Sequence, residues 1–232
     1  MIREQMARSQ ASAMLYDARY AGQFVPQWFE PQPAATGVAG TGRGASWFVA
    51  PIGEPWVLRH YRRGGWFGRL VADRYLWTGA QRSRPFAEFR LTAELHAAGL
   101  PVPRPIAARV LRRGLLYRGD LITARLDAQP LSARVGVPPL AAEWRAAGRS
   151  IARCHAAGLD HADLNLHNLL LALDGAVHLI DLDRGRLRRA GAWRAANLAR
   201  LERSLRKVAA ERWDEAAQAA AWAALREGYA AG

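Results

Sequence analysis

His161-Ala162-Asp163-Leu164-Asn165-Leu166-His167-Asn168, followed thirteen residues later by Asp181, is the stretch that decides the fold. A carboxylate, an amide five residues on and a second carboxylate beyond a short hairpin are the parts of a phosphoryl-transfer site. Asp163 suits the removal of a hydroxyl proton, and Asn168 and Asp181 suit magnesium on nucleotide phosphates. The two segments must converge for that chemistry. Leu169–Ala172 and Val177–Ile180 read as short apolar strands, and Asp174-Gly175 sits where a tight turn needs positive φ. Such a hairpin returns Asp181 to the level of Asn168. Each residue alone has a structural explanation: His161 in the core, Asn168 capping a turn, Asp181-Leu182-Asp183 closing the hairpin. The set at these separations points to chemistry.

Working outward, the 232 residues suffice for one large domain or two lobes, with 50% hydrophobic and 23% charged residues, an ordinary globular balance. The net charge of +13 is not ordinary, and it is almost all arginine, Lys207 being the single lysine. Such a field attracts polyanions: nucleic acid, acidic lipid headgroups or phosphorylated glycolipid. Cys154 is the single cysteine, so intrachain disulfides and cysteine metal cages are excluded, and the helical periodicity around it turns it to the core. His155, His161 and His167 recur every six residues, which no helix places on one face, so they form no metal cluster. The N-terminus lacks the apolar run of a secretory signal, and no window reaches the roughly 18 apolar residues of a spanning helix.

Residues 1–34 read as an N-terminal extension, partly helical. Residues 35–126 read as a β-rich lobe with one helix, and 127–232 as a mainly helical lobe. The glycines Gly40, Gly42 and Gly44 precede a strand at Trp47–Val49, and a second strand follows from Pro55 to Tyr61. A glycine loop there brings backbone N–H groups to phosphates, or is a plain loop. Phe86–Ala98 suits an amphipathic helix ended by Gly99, and Pro101–Pro105 breaks regular structure. Leu111–Arg113 and Leu115–Tyr117 flank Gly114 as a hairpin, with a separate strand at Leu121–Leu126. Asp127–Pro139 reads as a connector. Leu140, Trp144, Ala147, Ile151 and Cys154 then share one face of a helix ending at Gly158, and helices run from Trp193 onward. The expected fold class is α+β, with the glycine loop and the acidic site facing a common cleft.

Val57–Gly65, Pro101–Ala108, Asp163–Asn168, Leu179–Gly185 and Asn197–Ser204 resemble the lipopolysaccharide core sugar kinases that act on 3-deoxy-D-manno-octulosonic acid (Kdo), of the protein-kinase-like fold. The resemblance covers nearly the whole chain from about residue 35. It implies ATP-dependent phosphorylation of the Kdo 4-hydroxyl on a Kdo-lipid A precursor, by a peripheral protein at the cytoplasmic face of the inner membrane. By the same resemblance Asp163 is the base and Asn168 and Asp181 hold Mg2+. Gly40, Gly42 and Gly44 lie over ATP, and Glu88 pairs with the cation that holds its phosphates. That cation is Arg59 where relatives of the fold carry lysine, a fork in place of a point charge. Ala162 replaces the arginine of H-R-D, Asp181-Leu182-Asp183 replaces D-F-G, and no A-P-E follows. A small-molecule or glycolipid acceptor therefore fits better than a peptide.

Arg62, Arg63, Arg69 and Arg74 interleave with Trp66, Phe67, Val71, Tyr75, Leu76 and Trp77, a pattern suited to an anionic membrane surface or to a buried aromatic stretch. Arg184, Arg186, Arg188 and Arg189 either meet an anionic acceptor or form a solvated strip. Kinases of heptose, aminoglycoside or another small alcohol remain alternatives in the same reaction class. A basic nucleic-acid-binding module is the alternative from another class, but no finger, recognition-helix or RNA-platform motif is legible and no nucleic-acid partner is expected. Oligomeric state is not legible.

Overall fold

A computed structural model describes residues 2–6, 12–31, 36–38, 45–62, 73–138 and 140–232. Gly40, Gly42 and Gly44 of the glycine loop, and Arg63, Trp66, Phe67, Arg69 and Val71 of the basic aromatic stretch, lie outside them. The architecture is α+β and protein-kinase-like in its order of elements, an antiparallel sheet carrying one helix followed by a mainly helical region. The chain divides into two compact units, residues 1–93 with 104–125, and residues 94–103 with 126–232.

The first unit is built on β1 (Ile2–Met6), β2 (Ser12–Asp17), β3 (Thr36–Val38), β4 (Ala45–Val49), β5 (Trp56–His60), β6 (Tyr75–Leu76), β7 (Pro105–Arg113) and β8 (Leu116–Ala124). Their order is β1-β2-β7-β8-β5-β4-β3, with β6 also paired to β8. Alternation of side chains sorts the residues between two faces. Tyr61, Leu121, Tyr117 and Leu15 meet Phe86 and Phe89 of α1 (Arg84–Ala97) on one face. Trp56, Leu58, Ile106 and Ile122 meet Tyr20, Trp28 and Phe29 on the other.

That second face corrects the reading of the N-terminal residues as a partly helical extension. Residues 12–16 pair with β7, and short 3-10 turns at Ala18–Tyr20 and Pro26–Phe29 lay their aromatics over the sheet. Tyr20 fastens the segment: its hydroxyl donates to Glu54 at 2.6 Å and accepts from Arg104 at 2.5 Å. The separate strands expected near residues 115 and 121 are one nine-residue strand, β8. Gly119-Asp120 looks like a break but is not. A Cβ at Gly119 would sit 2.6 Å from the Pro85 ring, so glycine is what lets α1 approach, and Asp120 is held in the ladder by Arg109 at 2.8 Å and by His60.

In the second unit, α2 (Ala141–Ala156) buries Trp144, Ala147, Ile151 and Cys154 completely, as their spacing predicts. Leu140, expected on that face, precedes the first helical residue and stays 54% exposed. The connector contains β9 (Ala128–Pro130), which pairs with β11 (Leu169–Ala172); β10 (Leu159–Asp160) comes between them in sequence. Pro130 is tolerated because β9 is an edge strand. β11 pairs with β12 (Val177–Leu179), β10 with β13 (Arg186–Leu187), and α3 (Trp193–Ala209) and α4 (Glu215–Ala230) complete the unit. Among the described residues no helix is long and apolar enough to cross a membrane.

Candidate active site

The β11–β12 hairpin does what its sequence asks. Gly175 takes φ +82°, Asp174 Oδ1 accepts from the Ala176 N–H at 2.9 Å, and Leu169 faces Leu179 across the ladder. The register continues past the strand ends, where the Ile180 N–H donates to the Asn168 carbonyl at 3.0 Å. Asp181 follows with φ +59°, a left-handed conformation uncommon outside glycine. Backbone strain of this kind concentrates at functional sites.

The loop from His161 to Asn168 is closed by its own side chains. Asn165 caps the 3-10 turn Leu166–Asn168, its Oδ1 accepting from His167 N–H at 2.9 Å and Asn168 N–H at 3.2 Å. Both amide groups, Asn165 Nδ2 at 3.0 Å and Asn168 Nδ2 at 2.9 Å, donate to the Asp163 carbonyl. Asn168 Oδ1 is left to act as an acceptor. Asp163 itself is exposed.

His161 joins the loop to the hairpin. It is 1% exposed, and its Nδ1 accepts from the Asp163 N–H at 3.2 Å. Nε2 must then carry the hydrogen that it donates to the Ile180 carbonyl at 3.0 Å. Burial holds the imidazole below its usual pKa, against the opposing charges of Asp181 and Asp163 nearby. His161 is thus a neutral strut between the carboxylate segments, and Asp163, Asn168 and Asp181 are gathered around it.

A further set of residues, not singled out as a site from the sequence, holds this loop from behind. Asn197 of α3 is buried; its Oδ1 accepts from the His161 N–H at 3.0 Å and its Nδ2 donates to Asp160 at 3.0 Å. Asp160 also takes Arg188 at 3.0 Å, and these donors offset its burial and keep the carboxyl below its usual range. Ser204 Oγ accepts from Leu166 N–H at 3.2 Å. The spacing of Asn197 and Ser204, seven residues apart on one helix, was the available signal. Arg184, Arg188 and Arg189 are exposed, and Arg184 has φ +60°.

In the first unit, Arg59 of β5 forms an ion pair with Glu88 of α1. Glu88 is 4% exposed, and the Tyr61 hydroxyl donates to the same carboxylate oxygen, Oε2. Arg59 in turn donates to the Tyr61 oxygen at 3.2 Å and lies over its ring at 4.8 Å. Arginine in place of lysine is accommodated by this tyrosine, whose part nothing in the local pattern announced.

Residues 32–229 match the lipopolysaccharide kinase (Kdo/WaaP) family. The chain belongs to that family. It is therefore a kinase. It is 50% identical over 209 residues to the 3-deoxy-D-manno-octulosonic acid kinase of Xanthomonas campestris pv. campestris (strain B100), covering 88% of this chain and 84% of that one. With the enzyme of the same name from Stenotrophomonas maltophilia (strain K279a) it shares 47% identity over 223 residues, 94% of this kinase and 89% of the relative. Among solved structures, the Rio2 kinase-ADP/Mg2+-phosphoaspartate complex from Chaetomium thermophilum superposes with a TM-score of 0.49 at 17% identity, over 85% of this kinase and 71% of that chain.

Proposed function

We propose that this kinase transfers the terminal phosphoryl group of ATP to the 4-hydroxyl of Kdo on a Kdo-lipid A precursor, as a peripheral protein at the cytoplasmic face of the inner membrane. One observation carries the choice of acceptor: about half-identity, across most of both chains, to enzymes named for Kdo. The gathering of Asp163, Asn168 and Asp181 around His161 supports the reaction type.

Asp163 is exposed at the head of the loop and takes the proton of the acceptor hydroxyl as the new oxygen–phosphorus bond forms. Its backbone is fixed by two amides and by His161, so the carboxylate is offered from a rigid support. Asn168 Oδ1 and the Asp181 carboxylate form a hard oxygen donor set. That set suits Mg2+, which keeps few protein ligands and completes its shell with phosphate and water oxygens. When bound, the ion spreads and neutralises charge on the phosphates. Arg59, oriented by Glu88 and Tyr61, supplies a permanent positive charge for the nucleotide phosphates. The chain's +13 charge suits an acceptor carrying phosphates and a sugar carboxylate.

The test is a panel of Kdo-lipid A precursor, heptose-bearing core and aminoglycoside with labelled ATP, the product hydroxyl being assigned by mass spectrometry. The expected result is label on the Kdo 4-hydroxyl alone, abolished when magnesium is chelated. Transfer to heptose or aminoglycoside in preference to Kdo overturns the proposed acceptor.

A further inference from the structure

One end of the first unit's sheet carries exposed apolar side chains where water would favour polar ones. At the β7–β8 turn, Gly114 takes φ +63° and Leu115 is 77% exposed. Leu76 of β6, 66% exposed, pairs with Leu116 on β8, and the Trp77 N–H donates to the Leu115 carbonyl at 2.9 Å. These bonds set Leu76, Trp77 and Leu115 together at the tip of three strands. Single exposed leucines need no explanation, but here Leu76 is turned away from the face of Tyr75 and Trp77 while Leu115 crowns the adjoining turn, so one strand tip carries exposed leucines on β6 and in the turn.

The charge around the tip identifies what it suits. Residues 73–78 and 111–118 contain Arg74, Arg112, Arg113 and Arg118 against one carboxylate, Asp73. Asp73 is already matched by Arg118 at 2.6 Å. Arg112 lies over the Trp77 ring at 5.3 Å and donates to the Gly114 carbonyl at 2.9 Å, which pins the turn. Arg74 and Arg113 are exposed beside the leucines. A rigid apolar tip with an aromatic at its shoulder and a collar of arginines matches a bilayer in cross-section: acyl chains, interface, anionic headgroups. A second copy of the chain, itself carrying +13, meets the same collar with like charge.

We propose that Leu76 and Leu115 insert into an anionic lipid surface, with Arg74 and Arg113 on its phosphates. This rests on the proposed membrane placement and names the part of the chain that makes the contact. The tip takes Arg74, Leu76 and Trp77 from the basic aromatic stretch expected from sequence and adds Arg113 and Leu115 from outside it, while Tyr75 of that stretch is buried.

The full chain is sedimented with phosphatidylcholine vesicles with and without phosphatidylglycerol. The expected result is binding to the anionic vesicles only, weakened roughly tenfold in Leu76→Ser/Leu115→Ser, whose side chains bear little on the core. Equal binding by the double variant overturns the proposal, as does wild-type indifference to anionic vesicles at low salt. A dimer in sedimentation velocity that the double variant dissolves also overturns it and makes the tip an interface between copies. In parallel, both proteins receive lipid-free Kdo and labelled ATP, and the double variant should keep wild-type turnover. If wild type phosphorylates neither lipid-free Kdo nor detergent-dispersed Kdo-lipid A precursor, the proposed reaction fails, while the vesicle result still decides the surface.

Discussion

The Tyr61 hydroxyl donates to Glu88 Oε2, the oxygen that also holds the Arg59 guanidinium. One buried carboxylate thus takes two donors from the strand beneath it, and the tyrosine ring supports the arginine. Tyr61→Phe keeps the ring and removes one donor, at a cost of about 1–2 kcal/mol in chemical denaturation. Because the arginine then loses the phenol oxygen that accepts its N–H at 3.2 Å, KM for ATP should rise more than kcat falls. An unchanged KM for ATP contradicts the part given to Tyr61.

Asn197 bridges the His161 backbone and the Asp160 carboxylate from α3. Asn197→Ala leaves a buried N–H without its partner and should destabilise by about 1–3 kcal/mol. As a positioning residue it should lower kcat while calorimetric ATP affinity holds. Asn197→Asp keeps an acceptor for His161 but sets a carboxylate against Asp160. Its defect should therefore ease as pH falls and one carboxyl takes a proton. A defect independent of pH counts against this electrostatic account.

Gly148 of α2 and Gly228 of α4 are where those helices touch backbone to backbone. A Cβ at Gly148 would lie 2.1 Å from the Leu225 carbonyl oxygen, and one at Gly228 would lie 2.1 Å from that of Arg145. Neither obstacle is a flexible side chain, so the helices must part. Gly148→Ala and Gly228→Ala should each lose about 1–3 kcal/mol despite alanine's better helix propensity. Gly22→Ala, with nothing within 4 Å, should stay within about 0.5 kcal/mol of wild type. Equal melting temperatures for all three variants refute the close approach.

Three histidines set opposing pH dependences. Burial pushes His155 from 6.5 down to about 4 and also lowers His161. The stability tied to His155 is present above 6.5 and lost as pH falls from there towards about 4, and that tied to His161 is lost in the same direction, because the unfolded chain takes up protons that the folded one refuses. His60 is raised above 6.5, chiefly by its hydrogen bond to Asp120. Its contribution is complete below 6.5 and disappears as pH rises through the raised value. Melting temperature should therefore fall on the acid side, and His60→Asn should flatten the alkaline side relative to wild type. A variant as steep as wild type above neutrality would contradict the His60 assignment.

What could be read from sequence was local. The β11–β12 hairpin follows from two short apolar runs around Asp174-Gly175, and the inner face of α2 from Trp144, Ala147, Ile151 and Cys154. Illegible features depended on partners far along the chain. Tyr20, Trp28 and Phe29 look like stray aromatics until strands well beyond them in sequence supply the face they cover. Asp120 looks like a strand breaker until His60 and Arg109 hold it. Of the candidate site, the spacing of Asp163, Asn168 and Asp181 made the meeting of their loop and hairpin readable, and His161 joins the two segments. Asn197 and Tyr61 act through hydrogen bonds to His161 and Glu88, 36 and 27 positions away, and only the seven-residue spacing of Asn197 and Ser204 on α3 hinted at either.

The most direct test of the central claim is single-turnover phosphoryl transfer from ATP to the Kdo-lipid A precursor by wild type and Asp163→Ala. The account predicts a rate lower by about 10²- to 10⁴-fold with ATP affinity nearly unchanged. An Asp163→Ala rate equal to wild type contradicts it.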